Sequence, residues 1–312
     1  MKVFVAGATG AIGRQLVPML VRDGCEVTGM TRTESKRDLL GTLGAKPVVA
    51  DALDPEAVGR AVSEAEPDVI VHQLTAIPPS INIRRMERDF ALTNRLRTEG
   101  TDHLLSAGRA AGVTRFVAQS FANYFARTGG PVKDEDDPLD PDPPAAVRTT
   151  LHAIRYVEDA VTRADRMDGL VLRYGAFYGP GTALAPDGDL VRSIRKRRFP
   201  IVGSGAGLWS FVHIEDAASA TVAAIERGAP GVYHIVDDDP ASAGEWLPAV
   251  ARILGAKPPR RIPRWLARLG AGEVAAIMLT EARGASNAKA KAELGWTPRY
   301  ASWRRGFAEG LG

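Results

Sequence analysis

Cysteine is almost absent from this 312-residue chain, with Cys25 standing alone. An internal disulfide and a multi-cysteine metal site are therefore excluded, and no metal is expected. An excess of one charge is also lacking. Forty Lys and Arg against 37 Asp and Glu leave a formal charge of only +3. The surface is thus mixed, and nucleic acid is not an expected partner. The densest basic stretch, 192–198, holds Arg192, Arg195, Lys196, Arg197 and Arg198. It reads either as a solvated helix face or as a patch for an anionic ligand. No apolar run reaches spanning length, so no membrane partner is expected. A core strand begins at the second residue, leaving no room for a signal peptide, and a cytoplasmic protein is the expectation.

Apolar residues, by contrast, make up 45% of the chain, enough to bury a large core and to divide into two lobes. The segment Lys2-Val-Phe-Val-Ala6 is a short apolar strand of the kind buried in a parallel sheet. Further strands are expected over 26–31, 47–50, 69–72, 115–119 and 170–173, with helices between them. Asp54 before Pro55 is a plausible cap for one such helix. A long helical region covers 87–112, and another helix carries 156–165. This alternation predicts an α/β fold, a doubly wound parallel Rossmann-type sheet whose strand carboxyl ends gather ligands. Segment 126–148 holds Gly129-Gly-Pro131, the acidic run Asp134-Glu-Asp-Asp137, and prolines 138, 141, 143 and 144. Such a segment is a loop over or beside the site mouth, either a lid or a tolerated surface loop.

Glycine is placed with purpose at the end of the first strand, in Gly7-Ala-Thr-Gly-Ala-Ile-Gly13. Gly7 permits the tight turn, Gly10 lets backbone approach a pyrophosphate, and Gly13 lets helix and strand pack closely. With Thr9, Ala11 and Ile12 they form a candidate phosphate cradle at a helix N-terminus. The strand–helix–strand context makes this an NAD(P)(H)-binding turn. At the end of the second strand an acidic residue would accept a bond from a ribose 2′-hydroxyl. Here the chain reads Met30-Thr-Arg32-Thr-Glu-Ser-Lys36-Arg37. Arg32, helped by Ser35, Lys36 or Arg37, can pair with a 2′-phosphate, which favours NADP(H) over NAD(H). Glu34 keeps open the reading of Arg32 as a plain surface charge. Asp51, Ala52 and Leu53 after the third strand are placed at the adenine, and Leu74, Thr75 and Ala76 after the fourth at the ribose and pyrophosphate. The cofactor domain is expected over 1–175, with 211–236 returning to it. A smaller mixed substrate lobe is expected over 176–210 and 237–312.

These features resemble the extended short-chain dehydrogenase/reductases, specifically the NAD-dependent epimerase/dehydratase family. Besides the glycine turn, the resemblance rests on Asp51-Ala-Leu53, His72-Gln-Leu-Thr-Ala76, Arg173-Tyr-Gly-Ala-Phe-Tyr-Gly-Pro-Gly181, Phe211-Val-His-Ile-Glu-Asp216 and Lys291-Ala-Glu-Leu-Gly-Trp296. It implies a small-molecule substrate, often a nucleotide sugar, selected by the carboxyl-terminal lobe, and a homodimer built through a helical bundle. It also implies a Ser or Thr after the fifth strand, for which Ser120 stands, and a Tyr-x-x-x-Lys pair on the next helix. In that pair a cation makes the phenol acidic enough to act near neutral pH.

That pair is missing near this helix. With Glu158 as the register mark, Thr150 falls at the tyrosine position and Ile154 at the lysine position. Isoleucine supplies neither a charge nor a hydrogen bond, and a threonine hydroxyl is a poor acid. Tyr124, Tyr156, Tyr178 and His152 are the replacement candidates; the candidate catalytic set is Ser120, Thr150 and Tyr124. Arg97 stands where the family has an asparagine, three residues before Gly100-Thr101, and either holds a phosphate or carboxylate or faces water. Asn94 lies one turn earlier. Phe177 stands where related sugar enzymes often have asparagine, and with Phe125, Trp209 and Phe211 it hints at a less sugar-like ligand. Three readings stay open: an atypical oxidoreductase or epimerase/dehydratase acting on a carbonyl/alcohol carbon; a non-redox isomerase or lyase; and a non-catalytic NADP(H) sensor or protein-interaction module.

Overall fold

The computed structural model describes residues 1–78 and 81–311. Its centre is a seven-stranded parallel sheet. The strands are β1 (Lys2–Ala6), β2 (Glu26–Thr31), β3 (Lys46–Val49), β4 (Val69–His72), β5 (Arg115–Phe121), β6 (Asp168–Tyr174) and β7 (Gly231–Ile235). In space they run β7-β6-β5-β4-β1-β2-β3. Ala6 therefore lies beside Met30 on one side and His72 on the other. The strand order reverses at β1, and the crevice above such a switch point is where α/β sheets take ligands.

Both faces of the sheet are covered, which explains its near-continuous apolar strands. Alternate side chains of β1 serve different cores. Val3 and Val5 pack with Leu16, Val17 and Leu20 of α1 (Ala11–Arg22). Phe4 and Ala6 pack on the other face with Val58, Ile70, Leu104, Phe116 and Val157. Helix α2 (Arg37–Thr42) adds Leu40 to the α1 core, whereas α3 (Pro55–Ala65) lies on the Phe4 face and is capped by the Asp54 carboxylate, which accepts from the amides of Glu56 and Ala57, both at 3.0 Å.

Two helices differ from expectation. The region read as 87–112 divides into α4 (Met86–Arg97) and α5 (Glu99–Ala111), with Thr98 between them at φ −99°, ψ −82°. Helix α6 (Ala145–Thr162) starts inside the segment expected to be a loop to 148, because Pro144 stands at its N-cap rather than inside it, and ends at 162 rather than 165. The proline-rich segment before it is tied down on several sides. Val132–Lys133 pairs in parallel with Gly284–Ala285. Glu135 accepts from the His234 amide at 2.7 Å. Arg127 pairs with Asp140 and Glu281, each at 3.3 Å.

Beyond β6 the chain forms α7 (Asp189–Arg195) and α8 (Ile214–Arg227). A third core gathers Tyr178, Phe211, Trp246, Trp303 and Phe307. Within 211–236, α8 packs against the face that carries α1, and β7 joins the sheet edge. Phe211–His213 instead pairs with Ala176–Tyr178. In the basic stretch, Arg192 pairs with Asp189, and Arg197 donates to the Pro258 carbonyl at 2.9 Å. Arg195 at the end of α7, and Lys196 and Arg198 just beyond it, are exposed.

Candidate active site

Above the carboxyl ends of β1, β2 and β4 lies a cleft of about 190 Å³. Its floor is backbone. Gly7 has φ +93°, and a Cβ there would come within 2.6 Å of the Gln73 carbonyl oxygen. A Cβ on Gly13 would meet the carbonyl oxygens of Gly7 and Ala8 at 2.5 Å. Both positions thus exclude a side chain, and the turn closes with the Gly10 amide donating to Gly7 O at 2.9 Å. Gly10 caps α1 without a side-chain bond, so the first amides of the helix remain available to an anion. This cradle fits the pyrophosphate of a dinucleotide.

Gly7, Thr9, Gly10, Arg32, Asp51, Ala52, Leu74, Thr75 and Ala76 all line the cleft. Ala11, Ile12, Gly13 and Leu53 stand behind it: Ile12 is buried in the α1 core, and Leu53 packs against the opposite one. Met30, Thr31, Thr33, Ala50, Gln73 and Leu96 also line the cleft, although the motif did not single them out. For all but Leu96, which comes from α4, their place at strand ends around the switch point was the signal. Lys36 joins Arg32 on the rim. Neither enters an ion pair among the described residues, whereas Glu34 is taken by Arg37 at 3.1 Å. Asp51 accepts from the Leu53 amide at 3.0 Å, which orients its carboxylate.

The neighbouring region, between β5, α4 and α6, is built from buried side chains. Ser120 is buried on β5, and its hydroxyl donates to Glu158 Oε1 at 2.6 Å. Glu158 also receives Arg173 through Nε at 2.8 Å and Nη2 at 2.7 Å. This bidentate pair joins α6 to β6 beneath the site. His234 lies 3.4 Å from Arg173 Nη1, and burial with that charge pushes its pKa down to about 3. It is neutral near pH 7. His72 is held neutral too, burial lowering it to about 4.

Thr150 is buried, and its hydroxyl oxygen accepts from Asn94 Nδ2 at 3.2 Å. Ile154 is fully buried in an apolar cluster with Ala122, Phe125 and Leu139. Tyr124 lines a small crevice of about 30 Å³ with Asn123, Val147, Val274 and Met278. Burial raises its phenol to about 12, against the opposing charge of Arg97. The other replacement candidates point elsewhere. Tyr156 donates to Asp102 at 2.7 Å, His152 is exposed, and Tyr178 is buried in the carboxyl-terminal core. Phe125 and Phe211 are also buried in cores, and Trp209 donates to the Met278 carbonyl at 3.0 Å.

Arg97 does not face water. It is 6% exposed, its Nη1 has no hydrogen-bond partner, and it enters no ion pair among the described residues. Burial lowers its pKa to about 10, opposed by Tyr124 and Glu158, so it stays protonated near pH 7.

The model of the NAD dependent epimerase/dehydratase family matches residues 3–236. The chain is 48% identical to a 3-diazoavenalumate denitrifying reductase of a Streptomyces species, over 98% of this chain and 99% of that one. Its fold is similar to UDP-glucose 4-epimerase of Thermotoga maritima, solved with UDP-glucose, at TM-score 0.76 and 23% identity, covering 100% and 97% of the chains. It is also similar to MoeE5, solved with UDP-glucuronic acid and NAD, at TM-score 0.74 and 25% identity, covering 100% and 98%. The chain belongs to the NAD dependent epimerase/dehydratase family. It is an NAD(P)-binding enzyme of that family, and no helix among the described residues is long and apolar enough to cross a membrane.

Proposed function

We propose that this enzyme is an NADPH-dependent reductase acting on a small, partly apolar, electrophilic substrate without proton transfer from a Tyr–Lys pair. The observation that carries this reading is the α4–α6 seam. There Thr150 is held by Asn94 and Ile154 by an apolar cluster, at the positions the family resemblance gives to tyrosine and lysine. Reduction of a ketone needs a proton on oxygen, and these two residues offer no good donor. The dinucleotide, when bound, supplies a hydride.

An arenediazonium carbon accepts hydride without any proton. The C–H bond forms as the C–N bond breaks, its electron pair leaves with dinitrogen, and the charges cancel. The 48% identical relative is named as a denitrifying reductase of a diazo compound, and we carry that substrate class to this chain. In this reading Arg32 and Lys36 take the 2′-phosphate of NADPH, as two rim cations without ion-pair partners. Ser120 orients Glu158, Thr150 closes the seam, and Tyr124 presents its hydroxyl to the substrate crevice. Residues 1–175 with 211–236 form the cofactor domain, and 176–210 with 237–312 the substrate lobe. The enzyme is read as a cytoplasmic homodimer, for which light scattering should give twice the 33.3 kDa chain mass.

The decisive experiment incubates the protein with an arenediazonium carboxylate and NADPH carrying deuterium at the transferable position. Deuterium should appear on the carbon that lost nitrogen, with NADPH preferred to NADH. Arene formed without deuterium, or better turnover of ketones or nucleotide sugars, would overturn the reading.

A further inference from the structure

The buried polar groups near Ser120 do not balance in charge. Arg173 and Arg97 are both buried cations, and Glu158 is the carboxylate that stands beside them. Glu158 is already engaged: Oε1 accepts from Ser120 and Arg173, and Oε2 accepts from Arg173 again. The other neighbours add no negative charge near pH 7, since His234 is neutral and the Tyr124 phenol is protonated. One guanidinium, that of Arg97, is left without a counter-ion. An uncompensated buried charge costs several kcal/mol in a folded protein, so a residue kept in that state calls for an anion that arrives from outside.

The surroundings of Arg97 indicate where that anion goes. Asn94 and Arg97 are three residues apart on α4 and share one helix face. Asn94 Oδ1 and Arg97 Nη1 are both buried without a hydrogen-bond partner among the described residues. Thr150 accepts from Asn94 of this pair, and Tyr124, which lines the small crevice, lies near enough for the Arg97 charge to act on its phenol. Leu96 lines the dinucleotide cleft, whereas Arg97 does not. Arg97 follows Leu96 of the cleft wall in sequence, and like Asn94 it is buried behind the linings of both the cleft and the Tyr124 crevice.

We propose that Arg97 is a substrate-binding residue that receives an anionic oxygen, a carboxylate or a phenolate, of the molecule to be reduced. This rests on the assignment of the Tyr124 crevice to substrate. The anion completes the charge balance of Arg97, Arg173 and Glu158 and holds the substrate in one orientation beside the cofactor cleft. The unpaired guanidinium therefore discriminates against neutral analogues, which leave it buried and unsatisfied.

Binding of unreactive aromatic probes to the NADPH complex tests this without any turnover. Calorimetry compares cinnamate, its neutral methyl ester, and 4-nitrophenolate. At least one anion should bind on the order of ten- to a hundredfold more tightly than the ester, the range for a charge-assisted bond. Preference for cinnamate or for 4-nitrophenolate tells which oxygen anion the site takes. Arg97→Met should remove the difference while NADPH binding is retained; Arg97→Lys should keep part of it. The proposal is overturned if neither anion outbinds the ester in the native protein. It is also overturned if a folded Arg97→Met protein still discriminates, or if it loses NADPH affinity to the same extent, which would assign Arg97 to the cofactor. Should Arg97→Met fail to fold, the native protein and Arg97→Lys carry the test. Anion discrimination without reduction of diazonium compounds would leave this inference standing and remove only the proposed reaction.

Discussion

At the carboxyl ends of β1 and β2 the site is made of backbone; between β5, α4 and α6 it is made of side chains. The first region needs absences, two positions where any Cβ would strike a carbonyl oxygen. The second needs partners, a network in which Ser120, Glu158 and Arg173 satisfy one another and Arg97 does not. A backbone cradle recognises a group common to all its cofactors, so it can persist while chemistry changes around it. A side-chain network carries the substrate-specific part, and it is there that the family resemblance puts Thr150 and Ile154 at the tyrosine and lysine positions. The contrast explains how one fold can keep its dinucleotide and alter its reaction.

This comparison can be broken by substitution. The largest effect is expected from Glu158→Ala, which strands Arg173 beside Arg97. Stability should fall by roughly 3–5 kcal/mol, read by chemical denaturation, with cofactor affinity of the folded fraction little changed. Gly7→Ala should cost less stability and far more cofactor affinity. Its positive φ and the 2.6 Å approach to Gln73 O predict a loss of roughly 1–3 kcal/mol in stability, together with weak or absent dinucleotide binding by fluorescence titration. Arg32→Ala should leave stability unchanged and weaken NADPH by roughly ten- to a hundredfold, with NADH affected little. Equal losses for both cofactors would remove the 2′-phosphate from the account. The smallest effect is expected from Thr150→Val, which leaves Asn94 Nδ2 without its acceptor at a cost of roughly 1–2 kcal/mol. Its kcat should stay within about threefold of the parent, because less than about 0.7 kcal/mol separates rates that close; a large fall in kcat would make Thr150 an acid after all.

The two regions were also unequally legible in the amino-acid sequence. A buried strand, three spaced glycines and a following helix are local signals, and so is Arg32 at the end of the second strand. The Glu158–Arg173–Ser120 network joins residues up to 53 positions apart through parallel pairing of β5 with β6, and no local pattern announces such a contact. The same holds for Val132–Lys133, whose partner strand is only two residues long and lies far along the chain. The start of α6 was hidden because a run of prolines reads as irregular until the last of them proves to be an N-cap. The break at Thr98 lacked a proline to mark it. Arg97 was visible as a departure from the family pattern, but only its burial separates an anion receptor from a solvated charge.

The pairing of Val132–Lys133 with Gly284–Ala285 also bears on how the molecule is assembled as it is synthesised. The strands that frame the glycine turn, β1, β2 and β4, are all present once the first hundred or so residues have been made, and α8, which packs against α1, follows by residue 227. The segment that borders the Tyr124 crevice has no partner strand until the ribosome has passed residue 285. The region around the glycine turn can therefore take shape early, and the segment beside the Tyr124 crevice is clasped shut last.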